Sequence, residues 1–239
     1  MRGSGRSWHG LGLATALAAV LVTGCAPSAS GTAVPSGRPS GPTAAASAAP
    51  APGGSIAPGT PRPAGAYTLT LATGWRSVRI GSDYAATAAR YEAASARFAS
   101  SLKGQLAGLP KSASEYAYDG SDATVQSGTL VALTVTEVVL PADVNLDAFS
   151  AEVGRQASQV VEEDVPMERI LTSSGPAARL VYEAPFNQAS GGTAVAAVTQ
   201  VLLVVPGRGY VLTFTTTPSR VLADGPVFAE IARSIVLTP

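Results

Sequence analysis

Apolar residues change their spacing several times along the chain, and each change predicts a different element. Tyr67, Leu69 and Leu71 alternate with Thr68 and Thr70, and beyond a break at Gly74 Val78 and Ile80 alternate with Arg76 and Arg79. Period two is the strand signature, and the short connection predicts a hairpin. Tyr84, Ala88, Tyr91, Ser95, Phe98, Leu102, Leu106 and Leu109 then recur at threes and fours. That spacing predicts one long helix, capped by Ser82 or Asp83 and stopped at Pro110. Val131, Leu133 and Val135 alternate with Ala132, Thr134 and Thr136 in a β-branched strand ending at Pro141. A second helix follows Asn145 as cap, with Leu146, Phe149, Val153, Ala157 and Val160 on one face.

The last third reads mainly as sheet. Residues 169–172, 178–183, 193–205 and 210–217 are strand-like, Pro206-Gly207-Arg208-Gly209 is a turn, and Phe228, Ile231, Ala232 and Ile235 predict a C-terminal helix near Asp224. The strand over 210–217 is apolar on both faces, with Tyr210, Leu212 and Phe214 on one and Val211 and Thr methyl groups on the other. A strand covered on both sides belongs in the middle of a sheet. Phe228 and Ile231 are expected against one face, and Phe98 and Leu102 or Phe149 and Val153 against the other. Short connections favour hairpins, so the expected class is α+β, a mainly antiparallel sheet between helices in an αβα sandwich.

The N-terminal quarter has a different character. Arg2 and Arg6 precede an apolar run from Leu11 to Val22, followed by Thr23, Gly24 and Cys25, the order of a secretory signal. The run is shorter than the roughly 20 residues that cross a bilayer as a helix. From Ala26 to Ala66 the chain is Ala, Pro, Ser, Gly and Thr with nine prolines, no acidic residue, and Arg38 and Arg62 as its only charges. Such a composition buries too little apolar area to offset backbone ordering, so a disordered tether is expected. The expected division is a signal peptide over 1–24, Cys25 with its tether over 25–66, and one folded domain over 67–239.

Charge and composition narrow the chemistry. Charged residues make up 13% of the 239, and the formal net charge is zero. The domain itself holds all sixteen acidic residues against twelve Lys or Arg, a net −4. No basic footprint for a phosphate backbone is present, so no nucleic-acid partner is expected. His9, the only His, lies in the segment that cleavage would remove, and Cys25 is the only Cys. Ser-His-Asp, Cys-His and imidazole-ligated metal chemistry are thereby excluded from a mature chain, and neither a metal nor another cofactor is expected.

Val22-Thr23-Gly24-Cys25 resembles the lipobox of bacterial lipoproteins. The resemblance implies that Cys25 receives a diacylglyceryl group, becomes the mature N-terminus and holds the protein to the extracytoplasmic face of the cell membrane; two acyl chains suffice for stable anchoring. In the domain, Gly74-Trp75, Val144-Asn145-Leu146-Asp147, and Gly209-Tyr210-Val211-Leu212-Thr213-Phe214-Thr215 with Phe228, Ile231-Ala232-Arg233-Ser234-Ile235 resemble the PsbP-like αβα sandwich, and within it the actinobacterial lipoproteins of the LpqN/LpqT type. That resemblance implies a non-enzymatic protein-binding or accessory role toward a protein or envelope component, and carries over no catalytic residue.

The remaining candidates are weaker. Trp75, Tyr116, Tyr118 and Tyr210 could line a sugar- or peptide-binding surface, although aromatics at strand ends more often pack in a core. Glu162-Glu163-Asp164 reads as a solvated helix end and Asp119-Gly120-Ser121-Asp122 as a turn. Lys103 and Lys111 are the only lysines, and Ser101 lies on a different helix face from Lys103. Behind the binding module stand a carrier of a lipid or other apolar molecule and, third, a carboxylate-based hydrolase.

Overall fold

The computed structural model describes residues 62–64, 67–187 and 193–238. Ten strands and five α-helices follow one another among these residues: β1 (Arg62–Ala64), β2 (Tyr67–Leu69), β3 (Trp75–Val78), α1 (Tyr84–Ala89), α2 (Ala96–Ala107), β4 (Ala113–Asp119), α3 (Asp122–Ser127), β5 (Ala132–Val139), α4 (Leu146–Val161), β6 (Met167–Thr172), β7 (Gly175–Asn187), β8 (Thr193–Val205), β9 (Arg208–Thr216), α5 (Val221–Arg233) and β10 (Val236–Leu237). Seven strands form one antiparallel sheet in the order β3-β4-β5-β9-β8-β7-β6, and a small sheet has the order β1-β2-β10.

The large sheet is covered on both faces, as the α+β expectation requires. One face meets α5 and the small sheet. There Tyr67, Leu69, Trp75, Leu133, Val135, Tyr210, Leu212, Phe214, Phe228 and Ile231 form a single core. The opposite face meets two separate helix groups. Phe98, Leu102 and Leu106 of α2 pack with Ala88 and Val125 over Tyr116 and Tyr118. Phe149, Val153 and Ala157 of α4 pack over Leu180, Leu202 and Val211.

The expectation for the strand at 210–217 is met. β9 is the fourth of seven strands, Phe214 is fully buried and stacks on Phe228 at 4.7 Å, and Val211 lies on the other face with Phe149 and Val153. Its hairpin with β8 turns at Pro206-Gly207, where Gly207 has φ +80°, a conformation that suits glycine. At Gly209 a Cβ would lie 2.9 Å from Leu140 Cδ1 and Phe149 Cζ, so the missing side chain lets α4 sit close to the sheet.

Four expectations are corrected. The first two strands do not pair as a hairpin: β2 joins β1 and the C-terminal β10, while β3 pairs with β4 in the large sheet. The long helix is two, because Ser95 turns its side chain back to cap Phe98 N, as Asp83 caps Ala86 N at the start of α1. β4 and α3 fall on residues for which the sequence pattern predicts no element beyond a turn. Arg62–Ala64, expected within the disordered tether, pairs with β2.

Candidate functional site

Val22, Thr23, Gly24 and Cys25 lie outside the described residues, as do the signal segment and most of the tether. The proposed aromatic surface is a correction. Trp75, Tyr116, Tyr118 and Tyr210 are 6%, 0%, 3% and 0% exposed, and the sheet separates them: Trp75 and Tyr210 belong to the core under α5, Tyr116 and Tyr118 to the core under α2. Alternation puts the two pairs on opposite faces, so they share no groove. Trp75 contacts Phe214 and Phe228 edge-on at 6.5 and 6.3 Å, and Tyr67 meets Tyr210 at 5.7 Å. The Tyr118 hydroxyl shares a 2.9 Å hydrogen bond with Tyr91. Burial, then that bond, pushes the Tyr118 hydroxyl well above the ordinary tyrosine value.

The acidic candidates act as struts. Asp119 accepts from Ser121 N at 2.9 Å and from Thr124 Oγ1 at 2.5 Å, which closes the turn and starts α3. Arg220 donates to both oxygens of Asp224, at 3.1 and 2.9 Å, and Thr216 Oγ1 donates to Asp224 at 2.5 Å. A 3.4 Å contact from Arg220 to Thr124 Oγ1 joins the two groups, tying the ends of β4 and β9 to α5. The bonds to Asp224 hold the Arg220 guanidinium above its ordinary value. Glu162, Glu163 and Asp164 are exposed past α4, with Glu162 in the left-handed conformation as the C-cap. Lys103 and Lys111 are exposed.

A different set of residues draws the eye once the strand register is known. Tyr116 of β4 faces Thr134 of β5, Thr134 faces Thr213 of β9, and Thr213 faces Gln200 of β8. These four occupy one cross-strand row, spanning three inter-strand spacings or about 14 Å. All are buried. The row lies on the face covered by the two helix groups, with Tyr116 at the α2 side and Leu180, the next partner of Gln200, beneath α4. Gln200 leans toward β9, its Nε2 3.4 Å from Thr213 Oγ1. Its Oε1 and the Tyr116 hydroxyl are buried without a hydrogen-bond partner.

Burial alone raises the Tyr116 hydroxyl far above its ordinary value, so it is a neutral donor and acceptor at any physiological pH. The neighbouring row runs Tyr118, Ala132, Thr215, Val198 and Tyr182. Thr215 and Tyr182 in it are half-buried, which marks the side from which solvent approaches. Neither row contains a charged side chain. Tyr116 was legible in the sequence as a candidate; Thr134, Thr213 and Gln200 were not, because only register unites them.

No family model matches the chain, and no curated protein matches it. Solved structures similar to it include the cyanobacterial PsbP protein CyanoP of Synechocystis sp. PCC 6803, at 13% identity and a TM-score of 0.44 over 72% of this chain and 86% of that one. Another is LpqN of Mycobacterium tuberculosis, described as involved in cell envelope biogenesis, at 12% identity and a TM-score of 0.41 over 76% of this chain and 86% of that one. The α+β architecture stands on this chain's own strands, helices and register.

Proposed function

We propose that the protein is a non-enzymatic binding module held by a lipidated Cys25 at the extracytoplasmic face of the cell membrane, where it serves a protein or another envelope component. The observation that carries the reading is the commitment of Asp119 and Asp224: both carboxylates are engaged by hydroxyl, amide or guanidinium donors that join β4, β9, α3 and α5. Groups fixed in this way stiffen a scaffold, whereas a general acid or base needs a face open to substrate. The lipobox-like Val22-Thr23-Gly24-Cys25 supports the anchoring.

Phase partitioning of the full chain expressed in bacteria tests the anchor. Wild type is expected in the detergent phase and Cys25→Ser in the aqueous phase; a variant that stays with detergent overturns the anchoring. Asp119→Asn and Asp224→Asn test the other half and should each lower the melting temperature. An unchanged melting temperature in both would contradict the strut reading.

A further inference from the structure

The two edges of the large sheet are guarded unequally. β3 at one end is four residues long, and its apolar side chains Trp75 and Val78 are buried. β6 at the other end is six residues long, contains no proline or lysine, and keeps an unbroken register with β7. Short length, proline, lysine or a bulge normally keeps an edge from pairing with another chain. The charges that β6 does carry are answered within its own chain, Glu168 by Arg179 at 2.5 Å and Arg169 by Asp147 of α4. Leu171 and Met167 are 73% and 41% exposed. Both lie with Arg169 on the α4 face, and an open groove lined by Leu146, Asp147, Glu168, Leu171 and Arg233 runs beside the strand. Ser173-Ser174 is the two-residue loop between Thr172 and Gly175, so the backbone groups of Thr172 face β7. Alternation turns the N–H and C=O groups of Leu171, Arg169 and Met167 outward, where no strand of the described residues pairs with them. Beyond them the Ser173 amide is already taken, because it donates to Arg233 O at 2.9 Å.

We infer that two copies of the chain pair β6 against β6, antiparallel and about a two-fold axis normal to the sheet, so that the two large sheets become one. The register follows from the free backbone groups. An axis centred on Arg169 pairs Met167 with Leu171 of the second copy and the reverse, and uses every outward N–H and C=O of the three residues. Centring on Ile170 would bring Met167 to Ser173, whose amide is occupied, and centring on Glu168 would set two carboxylates against each other. With the axis at Arg169, the two most exposed apolar side chains of the edge cover each other on the α4 face. The two Arg169 side chains meet there as well, and the Asp147 carboxylates on either side supply the opposite charge. On the α5 face Glu168 comes opposite Ile170 of the second copy, beside the end of α5. There Arg233 lines the groove and has no ion pair among the described residues. Symmetry repeats this charge complementarity twice, which selects a second copy over a strand of arbitrary sequence. The pairing goes beyond the binding-module reading and is independent of Cys25.

Thiol trapping in the full chain carrying Cys25→Ser, which removes its only native thiol, tests the register. Arg169→Cys places a thiol opposite its own copy, at a Cα separation of about 5.5 Å that a disulfide spans, and should give a cross-linked dimer on mild oxidation. Met167→Cys and Leu171→Cys should each stay monomeric alone and cross-link to one another when mixed. Adding Leu171→Lys to Arg169→Cys sets a charge against Met167 and should reduce trapping at least tenfold. A measurement without new thiols is sedimentation equilibrium of the Cys25→Ser chain in density-matched detergent. Self-association is expected at high protein concentration, and its loss in Leu171→Lys. A missing Arg169→Cys dimer, equal cross-linking at all three positions, or a monomer at every concentration overturns the inference. Trapping or association that Leu171→Lys leaves unchanged overturns it as well. Met167, Arg169 and Leu171 are exposed, so each variant should melt with the Cys25→Ser chain. Because Cys25→Ser partitioning is read separately, a failure here leaves the anchoring result intact.

Discussion

The two faces of the large sheet are built from the same strands, yet they use them differently. Beneath α5 and the small sheet, Tyr67, Trp75, Tyr210, Phe214 and Phe228 join one continuous core in which aromatic rings meet edge-on or stacked. Beneath α2 and α4 the core is divided in two, and the division is filled by Thr134, Thr213, Gln200 and the Tyr116 hydroxyl. The aromatic face joins its side chains into one continuous core, although the Tyr210 hydroxyl is buried there without a hydrogen-bond partner and Glu115 is buried beside it. The divided face carries a row of hydroxyl and amide side chains across four strands, and a strand such as β9 contributes to both because successive residues point to opposite sides.

On that contrast, the largest effect of a single truncation belongs to the aromatic face. Phe214→Ala, which removes a ring buried between Trp75 and Phe228, should cost roughly 3–5 kcal/mol in a denaturant titration. Thr215→Ala, next along the same strand but half-buried on the divided face, should cost far less. A nearly neutral Phe214→Ala would remove the contrast altogether.

Alkaline pH separates the faces less sharply but reaches both. Burial raises Tyr182 from the usual 10.0 to about 12, and raises Tyr67, Tyr116 and Tyr118 as well. Folding therefore favours the neutral phenols. Their stabilisation is complete below about pH 10, where unfolded tyrosines are still protonated, and is lost as pH rises through the folded-state values. For Tyr182 the loss approaches about 2–3 kcal/mol near pH 12. Unfolding free energy measured between pH 8 and 12 should stay level on this account until about pH 10 and then fall, less steeply in Tyr182→Phe; a fall beginning below pH 9 would point to other groups.

Two smaller changes probe how each face holds its helices. Asp224→Asn weakens the tie from Thr216 and Arg220 that secures the start of α5, and should cost about 2 kcal/mol because it leaves part of a mostly buried ion pair uncompensated. Asn145→Ala removes the side chain that caps Ala148 N at the start of α4, for about 1 kcal/mol. Thermal unfolding of the two variants measures both, and equal losses would mean that the two helices are secured alike.

The aromatic face was the legible one. Alternation in Tyr210, Leu212 and Phe214 and the helical spacing of Phe228 and Ile231 are local signals, and Asn145 announced α4 through its cap. The divided face depends on longer-range facts. In Ala113–Asp119 a Ser, a Glu and three small or acidic positions dilute the β-branched signature, and the strand is fixed by pairing with β3 and β5. Helical spacing continues across 90–95, so only the capping geometry of Ser95 reveals the break. β2 and β3 look like a hairpin because the sequence shows their nearness and not the competing partner, β10, which arrives from the other end of the domain. The row itself joins residues from four strands and has no sequence motif.

The most direct test of the divided face is the unfolding free energy of Tyr116→Phe. The substitution keeps the ring against Phe98 and Leu102 and removes only the unpartnered hydroxyl, so the variant should be more stable than wild type by about 1 kcal/mol in a denaturant titration with unchanged slope. A variant less stable by a similar amount would show that the hydroxyl already has a partner in the folded chain, and would contradict the account of an uncommitted row.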